Sequence, residues 1–95
     1  MAKGRRFADL AGRHLQAQPL PGKPLTEILG TNRVLIENHQ GICGYSLSEV
    51  IVGVGFGQIK ILGDQLTLSM MNREQLVVSG DIYSVELVRR ENSWE

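Results

Sequence analysis

The residues that first suggest chemistry lie at 50–63, VIVGVGFGQIKILG, with glycines at 53, 55 and 57. A dinucleotide-binding loop needs G-x-G-x-x-G leaving a strand and opening a helix, so that the helix N-terminus meets the pyrophosphate. Counted from Gly53, the third glycine falls on Gln58. Residues 58–62, Gln-Ile-Lys-Ile-Leu, then alternate as a strand does and offer no helix start. A Walker loop needs Gly-Lys followed by Ser or Thr, and the chain has no such tripeptide. These glycines therefore read as backbone devices. Val50, Val52 and Val54 share one strand face, Ile51, Gly53 and Gly55 the other, and glycines at 55 and 57 allow a tight turn.

His39 and Cys43 form an H-x-x-x-C pair, two ligands where a structural zinc site takes four. Neither a metal nor any other cofactor is expected. Cys43 sits in an apolar run and reads as a small buried hydrophobe; a Cys-His catalytic pair would need a third group to orient it, and nothing in the sequence positions one. Glu37, Glu49, Glu74, Asp81 and Glu86 are scattered over turns and strand faces with no spacing suited to acid–base work. They read as solvated charges or as edge charges that discourage strand-to-strand aggregation. Sheet recognition of nucleic acid would require aromatics among basic residues. The β region offers Tyr45, Phe56 and Tyr83, with Trp94 beyond it, on an acidic background. No nucleic-acid partner is expected.

The elements that would carry these residues are strands. From Arg33 the chain alternates as Val34, Ile36 against Leu35, Glu37, and turns at Asn38–Gly41. Runs at 42–46, 49–54, 58–62, 65–70, 75–79 and 81–88 follow, separated by glycine or polar turns. Such spacing predicts an all-β meander, roll or sandwich of short antiparallel strands. An internal echo sharpens the picture: IKILGDQLTL (59–68) and LVVSGDIYSV (76–85) share an apolar alternation, then Gly-Asp, then renewed alternation. Glycine inside such a run marks a bulge or corner, so both strands are expected to bend over a shared core.

Ahead of the strands, Phe7, Leu10, Ala11 and Leu15 fall at helical spacing, which predicts either a short amphipathic helix near 6–17 or a disordered basic segment. Pro19, Pro21, Gly22 and Pro24 then make a linker. The expected organisation is a basic segment and linker over 1–24, a β domain over 25–90 and a tail over 91–95. The formal net charge of this 95-residue chain is zero, yet Lys3, Arg5, Arg6, Arg13 and Lys23 face only Asp9 up to Pro24. A basic leader on an acidic body suits an anionic surface, or is simply a solvated tail. Arg5, Arg6, Phe7, Leu10 and Arg13 are the candidates for membrane or partner contact, an apolar face sinking while the guanidinium groups meet lipid phosphate. The longest apolar stretch, Val50 to Phe56, is far short of the ~20 residues that span a bilayer. With one cysteine and no secretory pattern, a reducing cytoplasmic setting is expected.

Three segments in order, VLIENHQGICGYS (34–46), GQIKILGDQLTL (57–68) and REQLVVSGDIYSVEL (73–87), resemble the YabP/YqfC family of sporulation proteins. IENH-x-G-I and GQIKI are most similar to its YqfC branch, as is the basic segment with its proline-containing linker. The resemblance covers about residues 25–88 and marks Ile36, Glu37, Asn38, His39, Gly41, Ile42, Gly57, Gln58, Ile59, Gly63 and Gly80 as structural motif positions. Cys43–Gly44, Gly53 and Gly55 depart from it. It implies a non-enzymatic protein made during sporulation and acting on the mother-cell side, with a membrane protein such as YqfD as partner. The expected role is an assembly or scaffold module that docks on that partner or on copies of itself, at the periphery of the forespore membrane. The rival reading is a ligand- or peptide-binding regulatory module.

Overall fold

The computed structural model describes residues 23–91, and the expected N-terminal helix with its contact residues Arg5, Arg6, Phe7, Leu10 and Arg13 lies outside them. The described chain is all-β. Its strands are β1 (Leu25–Leu29), β2 (Arg33–Glu37), β3 (Ile42–Tyr45), β4 (Glu49–Val54), β5 (Gly57–Met71) and β6 (Gln75–Arg89). They form one antiparallel sheet in the order β1-β2-β6-β5-β4-β3.

That order forces the sheet to fold on itself. In a flat sheet β2 and β3 would be separated by three strands, about 19 Å at ordinary strand spacing. Only residues 38–41 join them, and fully extended chain from Glu37 to Ile42 reaches about 17 Å. The sheet closes the gap by bending β5 and β6 at mid-length. One half comprises β1, β2, the start of β6 and the end of β5; the other comprises the end of β6, the start of β5, β4 and β3. Alternation then turns one face of each half inward. Val34 and Ile36 (β2), Leu76 and Val78 (β6) and Leu66 (β5) meet Val50, Val52 and Val54 (β4), Ile59 and Ile61 (β5) and Ile82 (β6) in a single buried cluster. Burying each such side chain contributes roughly 1.5–3 kcal/mol.

The bend falls where the echoed Gly-Asp pairs were expected to place it. Pairing of β5 with β6 shifts register between Leu62 and Gly63 and again between Asp64 and Thr67, with Gln65 at φ 54°. Gly63 lies so close to β6 that a Cβ there would overlap the Asp81 carbonyl and come within 2.9 Å of Leu66 Cδ2. Gly80 sits opposite, over Leu66. Two turns seal the corner from outside: Leu66 N–H donates to Leu47 O and Gly63 N–H to Ser48 O, while Gly80 and Ile82 N–H donate to Asn32 and Thr31 O.

Two expectations need correction. The β texture was read from Arg33 onward, but Leu25–Leu29 already forms a strand, paired Leu25↔Glu37 through Leu29↔Arg33. The runs at 58–62 and 65–70, and at 75–79 and 81–88, are halves of two 15-residue strands. They are bent rather than short, because the backbone ladder continues through the glycine corners.

Candidate functional site

The residues gathered from the IENH-x-G-I segment build a latch where the chain crosses from β2 to β3. Ile36 is buried in the core. Glu37 accepts a hydrogen bond from Gln75 Nε2 at 2.8 Å, tying the end of β2 to the start of β6. Asn38 takes the left-handed conformation (φ 63°), which its short polar side chain tolerates. Its N–H donates to Glu74 O, and its Nδ2 donates to Lys23 O at 2.7 Å. His39 uses both ring nitrogens. Nδ1 accepts from Gly41 N–H at 2.9 Å, so the ring proton is on Nε2, which donates to Asn72 O at 2.8 Å. Gly41 O in turn accepts from Gly53 N–H, and Gln40 N–H donates to Gly53 O. The crossing is thus bonded to the β5–β6 turn on one side and to β4 on the other. Asn72 shapes that turn by accepting from Glu74 and Gln75 N–H through Oδ1.

Beside the latch lies an open groove of 470 Å³ on the outward face of β3, β4 and β5. Its floor is low because Gly53 carries no side chain; a Cβ there would stand 3.3 Å from Cys43 Sγ. Gln40 and Cys43 form one wall, Gln58 and Val88 the other, and Arg90 stands at one end. Cys43 was expected to be buried and is exposed. Ile42 pairs with Val52 and packs against the core, so strand alternation turns Cys43 outward, and the register shift between Ile42 and Gly44 leaves it as the unpaired residue of a bulge. The groove therefore presents a thiol, two amides and the two guanidinium groups of Arg89 and Arg90, with no carboxylate in its lining. Of the carboxylates picked out in the sequence, Glu37 is held by Gln75 and Glu49 stands 4.0 Å from Lys60. Among the described residues no group of three His, Cys, Asp or Glu side chains is placed to hold a metal ion.

A family model described as the YabP family matches residues 23–94. The chain belongs to the YabP family. No curated protein and no solved structure matches it. The YabP match runs through all six strands, the latch and the groove, and membership is consistent with a sporulation-related role.

Within this YabP-family sheet, the motif positions divide by task. Ile36 and Ile59 are core, Ile42 packs against it, and Gly63 and Gly80 make the corner. Gly57 opens β5 at φ 149°, a backbone state an L side chain rarely adopts, and a Cβ there would overlap Val88 O. Asn38, His39 and Gly41 meet in the latch, with Glu37 at its edge; Gly57 and Gln58 are the members of the set that line the groove. Sequence reasoning missed Asn72, Gln75 and Leu47, which complete the latch and corner. Asn72 followed by acidic and amide residues carries the signal of a side-chain-capped turn, but its pairing with His39 spans 33 residues and has no local signature.

Proposed function

We propose that this YabP-family chain is a non-enzymatic assembly module of sporulation, of the YqfC branch, acting on the mother-cell side. In this reading its β body docks on a membrane protein such as YqfD or on a second copy. The basic segment with Arg5, Arg6, Phe7, Leu10 and Arg13 rests on the anionic surface of the forespore membrane. The observation that carries it is where apolar surface is left outside. Tyr83 is 67% exposed, Leu87 65% and Val88 37%, all on the second half of β6, beyond which no described strand lies. Apolar side chains beside an open sheet edge are costly in water and useful to a partner. The engagement of both His39 nitrogens in the crossing favours a structural role for that residue over an acid–base one. The rival reading, a ligand-binding regulator, is favoured by the groove over Gly53.

Tagged protein expressed in sporulating cells, fractionated into membrane and soluble pools, tests the proposal. The expected result is recovery in the membrane pool with an integral membrane protein, and loss of membrane recovery when residues 1–17 are deleted. Recovery in the soluble pool alone, unchanged by the deletion, would refute it.

A further inference from the structure

We propose that residues 92–95, Asn-Ser-Trp-Glu, fold back from the end of β6 and seat Trp94 in the groove over Gly53. The inference goes beyond the reading above and bears on its rival, because the groove that favours a bound ligand is then filled by the chain itself.

Position is the first argument. The chain turns at Glu91, immediately after Arg90, which stands at one end of the groove. The YabP match does not stop with β6 at Arg89 but continues to residue 94, so the segment leaving this turn belongs to the matched domain. Strand pairing sets the distance to be covered. Val88 lies opposite Gln58 and Gln58 opposite Gly53, so the three stand in one row across β6, β5 and β4. Glu91 is three residues along the strand and two strands across from Gly53, about 14 Å at ordinary spacings. Extended chain from Glu91 to Trp94 reaches about 10 Å, and the indole side chain spans the remainder.

Shape and chemistry suit this occupant. An indole is a flat apolar body with a single N–H donor. Val88, the bare floor at Gly53 and the Cys43 sulfur offer the body apolar contact. The side-chain amides of Gln40 and Gln58 bond to no other described residue. They can accept from the indole N–H and donate to the Glu95 carboxylate. Arg89 already has a partner, so the charge match rests on Arg90. That guanidinium stands beside the path of a segment that carries Glu91 and Glu95 and no basic residue. The chain's other segment outside the described residues is basic, with Lys3, Arg5, Arg6 and Arg13 against Asp9 alone, and Arg90 repels it.

Trp94 is the only tryptophan, so its fluorescence reports the contact directly. In full-length protein its emission is expected at shorter wavelength than in urea and protected from acrylamide, equally at every protein concentration. Gly53→Gln fills the floor, displacing only the Cys43 sulfur, and should return Trp94 to long-wavelength, acrylamide-quenched emission. Q58E/R90E leaves the floor open but turns the lining acidic; it should have the same effect, and it keeps the test decisive if the filled variant does not fold. Circular dichroism of each variant checks that the sheet is intact. Native protein whose Trp94 emits as it does in urea overturns the proposal. So does protection that survives both variants, which would put the indole elsewhere, or protection that grows with concentration, which would put another molecule's tail in the groove. Membrane recovery turns on residues 1–17 and stands or falls separately.

Discussion

His39→Ala removes the two hydrogen bonds that hold the β2–β3 crossing to the β5–β6 turn and to its own Gly41. A hydrogen bond contributes about 0.5–1.5 kcal/mol net. The two sum to about 1–3 kcal/mol. Water can reach the crossing and re-solvate Asn72 O and Gly41 N–H, so the lower half of that range applies, about 1.5 kcal/mol. For a domain of this size one kcal/mol shifts the melting midpoint by about 4–8 °C, which gives an expected loss of about 6–12 °C. Thermal melting and urea titration measure it, and the urea m-value should stay unchanged because the same surface is exposed on unfolding. Amide exchange gives the local readout: the Gly41 proton, held by Nδ1, should lose protection before the core strands do. A midpoint within error of the unaltered protein, with Gly41 still protected, would refute the latch.

Gly63→Ala should destabilise by about 3 kcal/mol or yield insoluble protein, since the added methyl meets the Asp81 carbonyl rather than a movable side chain; a melt like that of the unaltered chain would remove the corner argument. Cys43 should react fully with a thiol reagent in native buffer, as its exposed bulge position requires; labelling that waits for denaturant would contradict that geometry.

Alternation made the core of β4 legible, since Val50, Val52 and Val54 are fully buried as their spacing implies. The repeated Gly-Asp pairs made the bend legible, because a glycine inside an apolar alternation has few other uses. Bulges are harder to see. Gly44 follows Cys43 without alternating, because the shift between Ile42 and Gly44 leaves both on the outward face, and no local pattern announces it. β1 hid for a different reason. Leu25-Thr-Glu-Ile-Leu29 puts apolar residues on both faces and, at the sheet edge, buries neither fully. The latch was visible as a set of motif residues but not as a mechanism, because its partners Asn72 and Gln75 are supplied from the far side of the sheet.

The place of β6 in the sheet governs when this protein can fold as it is made. β2 has no neighbour on its inner side until residues 75–79 arrive, and the end of β6 completes the half that contains β4. The β1–β2 and β3–β4 hairpins can form early from local contacts, but two-stranded hairpins are marginal in water. A ribosome-bound chain lacking β6 therefore holds Val34, Ile36, Ile59 and Ile61 without a closed core. Folding of the described domain is postponed until nearly all of it has been synthesised, and through that interval its apolar strands depend on chaperones or on speed.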